Sequence, residues 1–305
     1  MDNFPHHSLS ICIASFGDDV SELLTELSRC VHFGLPAGWS IEILISDQFP
    51  APHSKATVWQ EHATCLYFHS RTKGRSLNRN ELAQKSTGKY LLFLDADALP
   101  KATSFLYNYC KDAAQASVIV GGTAYRRDFK ANHLRSKIGI LKEERTPKFR
   151  SKNTYDSFSA FNFLITRSLF LEIGFDETIQ GYGHEDTMFG QQLRYRCASI
   201  LHIDNPAYHI GIDENDVFMD KTEQAVDGLA LLINAGKIDE NVALFRTYTT
   251  LRKFKLQLVI KALNTLFGAS IKRALSSKYP PLFLYDVYKI LRLSNHPIKI
   301  GRKMP

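Results

Sequence analysis

An apolar run of strand length, Tyr90-Leu91-Leu92-Phe93-Leu94, ends abruptly in Asp95-Ala96-Asp97, and Pro100 follows to stop the strand. Alternation along an extended backbone puts Asp95 and Asp97 on one side, with Ala96 facing away. The carboxyl end of a buried strand is where open α/β sheets bind ligands. Two acids this close raise one another's pKa unless something cationic joins them. A divalent cation carrying a diphosphate would do so, because Mg²⁺ and Mn²⁺ prefer carboxylate and phosphate oxygens. The plainer alternative is a strand end whose acids cap the next helix, starting near Ala102.

The surrounding chain alternates strand and helix. Leu9 to Ala14 read as a first strand, followed by Ser15-Phe16-Gly17-Asp18-Asp19 and an amphipathic helix through about Cys30. Ser40 to Ser46 form a second strand ending at Asp47, and Thr64 to His69 a third. A polar stretch from Arg71 to Asn80 opens a helix through Lys85. Its positive charges, Arg75 and Arg79 among them, precede the strand that ends in Asp95, and arginines beside a helix N-terminus suit phosphate oxygens. A helix near 102–115 and a strand from Ser117 to Gly121 follow. This order predicts an α/β fold with a doubly wound, mostly parallel sheet and flanking helices. Residues 122–157 form a long polar excursion, helical in part. Ser157 to Thr166 returns as a strand, in which Asn162 either satisfies buried backbone or points into a cleft.

A second chemical stretch is Gly181-Tyr182-Gly183-His184-Glu185-Asp186. Glycines flanking an aromatic permit a tight loop, and Glu185 and Asp186 then fall in the first turn of a helix to about Arg196. Acids there suit the helix dipole, and a carboxylate held at a cleft mouth can also serve as a general base. Ser199 to Asp204 is a short strand. Beyond it, His209 is either structural or a metal ligand completing a shell with Asp97.

Of the 305 residues, those from Asn241 on carry thirteen Lys or Arg and one acid, Asp286, a net charge of +12. The whole chain is +7, so residues 1–240 stand at −5. We therefore expect a catalytic domain over 1–240 and a basic helical extension over 241–305, whose charge points to an anionic partner. The extension interleaves apolar and basic residues at helical spacing, as in Leu251-Arg252-Lys253-Phe254-Lys255-Leu256. It either attaches peripherally to an anionic membrane surface or packs on the catalytic domain with a solvated basic face. Five cysteines, widely spaced and without a Cys-x-x-Cys pair, suggest reduced thiols. No basic segment leads into a long apolar one at the N-terminus, so a cytoplasmic protein is expected, with membrane contact at most peripheral.

Taken together, these stretches resemble the family 2 nucleotide-sugar glycosyltransferases, which have the GT-A fold. Ile13-Ala14-Ser15-Phe16 is similar to the end of the family's first strand, and Glu42-Ile43-Leu44-Ile45-Ser46-Asp47 to its second. Gly74-Arg75-Ser76-Leu77-Asn78-Arg79-Asn80 resembles the segment before the metal strand, and Leu94-Asp95-Ala96-Asp97 its DxD. Gly181 to Asp186 resembles the Gly-aromatic-Gly-x-Glu-Asp loop, and the likeness spans roughly residues 8–235. Two departures fall near the base and ribose. The family's first strand usually ends Pro-x-Tyr/Phe-Asn where this chain has Ala14-Ser15-Phe16-Gly17, and Asp47 is followed by Gln48-Phe49-Pro50 in place of a second acid and Gly-Ser.

The resemblance implies inverting, metal-dependent transfer from a nucleoside-diphosphate sugar, UDP-linked by preference, to a glycan or lipid-linked acceptor. It places the nucleotide against Ala14, Phe16, Asp47, Arg75, Arg79 and Asp95. Asp97 and His209 would hold Mn²⁺ or Mg²⁺. Asp186, ahead of its neighbour Glu185, would act as base, and Asn162, Tyr182, Gly183 and His184 would line the acceptor. A sugar-1-phosphate nucleotidyltransferase shares the strand order and metal chemistry but usually has a Gly-rich loop after its first strand, which Ser15-Phe16-Gly17-Asp18 is not. A nucleic-acid-binding protein would suit the basic tail, yet no nucleic-acid module is recognisable and the basic excess avoids the motif-bearing body.

Overall fold

A computed structural model describes residues 7–60, 65–71, 73–127, 132–179 and 181–298. The chain forms two compact units. One comprises residues up to Arg126, Glu143–Thr178 and Phe189–Gly211; the other comprises Arg127–Lys142, Ile179–Met188 and residues from Ile212 onward.

The first unit begins as the alternation predicts: β1 (His7–Ser15), α1 (Ser21–Phe33), β2 (Trp39–Asp47), α2 (Ala56–Gln60), β3 (Cys65–His69), α3 (Arg75–Lys85) and β4 (Tyr90–Asp95). Thr64, expected to start the third strand, and Thr72, within the basic stretch, lie outside the described residues. There follow β5 (Ala98–Pro100), α4 (Phe105–Asp112), β6 (Val118–Val120) and β7 (Thr123–Ala124). The excursion holds α5 (Leu134–Lys142), which belongs to the second unit, and α6 (Pro147–Arg150). Next come β8 (Asn162–Thr166), α7 (Arg167–Ile173), α8 (Glu185–Tyr195), β9 (Ile200–His202) and β10 (Ala207–His209).

A seven-stranded sheet runs in the order β3-β2-β1-β4-β8-β6-β9, with β8 antiparallel to both of its neighbours and the other pairs parallel. Period-two alternation divides its side chains between two cores. Leu9, Ile11, Ile13, Leu92 and Leu94 pack with α1 and α4, whereas Cys12, Leu91, Phe93, Phe163 and Ile165 pack with α3, α7 and α8. The strand order reverses between β1 and β4, the switch at which such sheets bind ligands. A smaller sheet, β5-β10-β7, pairs β10 antiparallel to β5 and parallel to β7.

Four local expectations are corrected. β4 ends at Asp95, and Ala96 and Asp97 form a turn into β5, so alternation does not carry to Asp97. Pro100 is not the terminator of that strand; it lies in β5 opposite Ala207. Nor do the acids cap the following helix, because β5 and a turn intervene before Phe105. Finally, strand β8 starts only at Asn162. The amides of Ser157 and Phe158 bond back to Asn153 and Tyr155, so this stretch turns locally instead of pairing sideways.

The second unit is helical. After α5 it holds the 181–186 loop and the start of α8, then α9 (Asn215–Asn234), α10 (Ala243–Lys253), α11 (Gln257–Leu275) and α12 (Phe283–Ser294). Val226, Leu229, Ile233, Phe245, Tyr248 and Leu293 form one core of this unit. Phe218, Met219, Leu275, Tyr285 and Tyr288 form another, with Leu134 and Ile138 of α5. Tyr279-Pro280-Pro281-Leu282 separates α11 from α12, as its prolines predict. Among the described residues no helix is long and apolar enough to cross a membrane.

Candidate active site

The turn after β4 is placed by the small sheet. His209 lies opposite Ala98 in the β10–β5 register, and the amide of Ile210 donates to the carbonyl of Asp97 at 3.1 Å. That register brings His209 Nε2 to 2.9 Å from Asp97 Oδ2. The imidazole is held edge-on by Tyr125 and Phe161, with ring centroids 5.7 and 5.2 Å away. Close approach of the backbone to the same carboxylate requires glycine at 211, where a Cβ would sit 2.0 Å from Asp97 Oδ2.

Asp95 is handled separately. Arg79 Nη2, on the buried side of α3, donates to Asp95 Oδ1 at 2.6 Å, and its guanidinium lies 5.3 Å from the Phe175 ring centroid. The side chain of Arg79 is only 4 % exposed against 29 % for Asp95. Arg79 therefore positions the carboxylate, a contact the sequence did not foresee. Each of the two neighbouring acids thus has its own cationic or imidazole partner, which relieves their mutual repulsion.

Asp97 Oδ2 and His209 Nε2 fit a shared divalent ion. Two adjacent ligands of an octahedral ion with bonds of about 2.1 Å lie about 3 Å apart, and a carboxylate with an imidazole is a donor set that Mn²⁺ accepts. Among the described residues no group of three or more His, Cys, Asp or Glu comes together in metal-binding range. Among the described residues, Asp97 and His209 are thus the two donors this site brings together.

The ends of β1 and β2 adjoin this turn. Ala14 pairs with Asp95 on one side and Ser46 on the other. Asp47 is fully buried: its Oδ1 accepts from the amides of Gly17 and Phe49 at 2.8 and 3.1 Å, and its Oδ2 from the Tyr67 hydroxyl at 3.1 Å. Its carboxylate consequently ties two loops together. Those loops expose Phe16 and Phe49, which meet edge to face at 5.6 Å. The N-terminus of α3 is fixed beside them. Asn78 Nδ2 donates to the carbonyls of Ser15 and Ser46, and Gln48 Oε1 accepts from the Gly74 amide. Arg75 occupies the first helical position and is exposed.

Asn162 resolves in favour of buried backbone. It is 1 % exposed; its Nδ2 donates to the carbonyls of Gly122 and Asn205, and its Oδ1 accepts from Tyr109. Both amide protons are committed inside the fold, which corrects its expected role as an acceptor contact.

Tyr182, Gly183, His184, Glu185 and Asp186 belong to the second unit. Gly181, Gly183 and His184 all have positive φ, at 92°, 94° and 73°. A Cβ on Gly183 would approach that of Ala225 in α9 to 3.1 Å, and His184 Nε2 donates to the Ala225 carbonyl at 2.9 Å. Burial pushes the His184 imidazole below its ordinary pKa, so it is neutral. Lys221 stands over the Tyr182 ring at 5.6 Å. Glu185 and Asp186 open α8 in its first turn, and Glu185 is buried.

Gly211, Tyr67, Gln48 and Asn78 were missed as positioning residues. Asn78 carried a signal as a polar residue within the basic helix start, and Gln48 as a departure from the family pattern after Asp47.

Residues 25–174 match the family described as Glycosyl transferase family 2. This segment belongs to that family. The protein is a glycosyltransferase, with the GT-A fold seen in solved structures across nearly all of its length. The mannosyltransferase PcManGT from Pyrobaculum calidifontis, solved with GDP-Man and Mn²⁺, has a TM-score of 0.58 at 13% identity and covers 96% of this chain and 87% of its own. Residues 1–349 of TarS from S. aureus, solved with UDP-GlcNAc, give a TM-score of 0.52 at 18% identity, covering 94% and 89%. No curated protein matches the glycosyltransferase chain in sequence.

Proposed function

We propose that the protein moves a sugar, with inversion, from a nucleoside-diphosphate donor, UDP-linked by preference, to a hydroxyl of a glycan or lipid-linked acceptor. The observation that carries this reading is the convergence of Asp97 Oδ2 and His209 Nε2 at 2.9 Å, one turn beyond the sheet's switch point. Similarity in fold to proteins solved with UDP-GlcNAc and with GDP-Man and Mn²⁺ supports a nucleotide-sugar donor and a divalent ion.

Asp97 and His209 would hold Mn²⁺ or Mg²⁺, which when bound supplies positive charge to the departing diphosphate. Arg79 fixes Asp95 beside Ala14, at the strand ends assigned to the nucleotide. Exposed Phe16 offers an aromatic edge to the base, and Arg75 at the start of α3 offers charge to phosphate oxygens. Asp186 is the proposed base on the strength of its sequence motif. It takes the proton of the acceptor hydroxyl as that oxygen bonds to the anomeric carbon; the bond from that carbon to the phosphate oxygen breaks, and its electron pair leaves with the nucleoside diphosphate.

Titration calorimetry of UDP and of GDP, with and without Mn²⁺, tests the donor site. The expected result is metal-dependent binding of one nucleotide that disappears in Asp97→Ala. Absence of binding to either nucleotide in wild type, with or without metal, would sink the reading.

A further inference from the structure

The second unit presents an apolar surface that none of its own helices covers. Helix α11 buries Ile260, Gly268 and Leu275 on one side, where it packs against α12 and α9. On the other side Leu258, Val259, Leu263, Leu266 and Phe267 are 80, 54, 41, 70 and 51 % exposed. At about 100° per residue these five fall within one half of the helical wheel. Phe254, 72 % exposed, extends the apolar run just before the helix. A surface of this kind marks an interaction site.

Charge identifies the partner. Lys253, Lys255, Lys261 and Arg273 are exposed around this helix, and none has an acidic partner among the described residues. The cations that do find acids lie toward the packed side: Lys272 with Asp220 and Glu223, at 2.8 and 3.1 Å, and Arg292 with Asp227 at 2.7 Å. Beyond Asn241 Asp286 is the sole acid, and it is taken by Lys142 and Lys289. A second copy docking through the same face would set lysines against lysines. An anionic bilayer answers both features, with acyl chains for the leucines and headgroups for the lysines. No described helix can cross such a bilayer, so the contact is interfacial.

We propose that the exposed face of α11, from Leu258 to Phe267, docks on an anionic lipid surface. The inference goes beyond the transfer reaction and stands without it, since lipid binding is read with no sugar nucleotide present. The test is flotation of the full-length protein on vesicles of phosphatidylcholine containing phosphatidylglycerol, against phosphatidylcholine alone, at low and high salt. Strong recovery on the anionic vesicles and weak recovery on the neutral ones is expected. Leu263→Asn with Leu266→Asn, which leaves the charge unchanged, should lower partitioning at least tenfold, a rough figure for withdrawing leucine side chains from burial. Lys253→Gln and Lys261→Gln should each weaken it by roughly fivefold. Unchanged melting curves and nucleotide binding would show these variants to be folded. Failure of wild type to float on anionic vesicles overturns the inference, as does flotation of the leucine variant at the wild-type level. A concentration-dependent dimer that the leucine variant abolishes, without vesicle binding, would assign the face to a second copy instead.

Discussion

Gly211 has no chemistry of its own, yet it sets how Asp97 stands. With a methyl group 2.0 Å from Oδ2, the Asp97 carboxylate or the backbone at 211 must shift in a Gly211→Ala variant, which disturbs the 2.9 Å contact with His209. A displacement of about 1 Å in a catalytic group can cost about a hundredfold in rate. We expect this variant to melt near wild type while losing at least about tenfold in metal-dependent nucleotide affinity, which calorimetry and a thermal scan would separate. Asp186, the proposed base, makes a different demand. Asp186→Asn should lower kcat by about 10²–10⁴-fold with little change in donor affinity. If Glu185→Gln shows the larger kcat loss instead, the roles of the two carboxylates are exchanged.

At the scale of elements, β1, β2 and β4 were legible because apolar runs of strand length have few other uses in an α/β chain. Helix α1 was legible from its amphipathic spacing, and α3 from the polar, basic stretch that opens it. Contacts set by register between distant strands were not. The Asp97–His209 pairing was expected as a metal shell, but the register that makes it, β10 beside β5, was not legible, since each has three residues, too short to carry a pattern. Asn162 looked like a polar residue free for an acceptor because Tyr109, Gly122 and Asn205, which consume it, come from three remote places. Arg79 looked like a phosphate ligand for the same reason, since the sequence cannot show that α3 turns it inward to Asp95. The loop before α8 carries its own pH signature. His184 is buried and its pKa depressed, so the unfolded chain takes up a proton near pH 6.5 that the folded loop resists. Its contribution to stability is therefore complete above pH 6.5 and declines as pH falls below it. Thermal unfolding should show this decline as pH falls from about 6.5 to about 5, and His184→Gln should flatten it.

On the scale of the whole molecule, charge and chemistry are divided. The motif-bearing body is mildly acidic, and the helices after Asn241 carry +12. That division was visible in the sequence. The boundary drawn from it at 240 was coarser than the two units observed, because residues 127–142 and 179–188 contact the later helices although they precede them in the chain.

The turn that carries Asp97 links β4 of one sheet to β5 of the other, and its histidine partner arrives only with β10. More than a hundred residues separate the two side chains along the polypeptide. A growing chain therefore contains β1 to β4, acids included, well before the strand that brings His209 to Asp97. The Asp97–His209 contact thus closes a long loop of the chain, at an entropic cost that grows only slowly with its length.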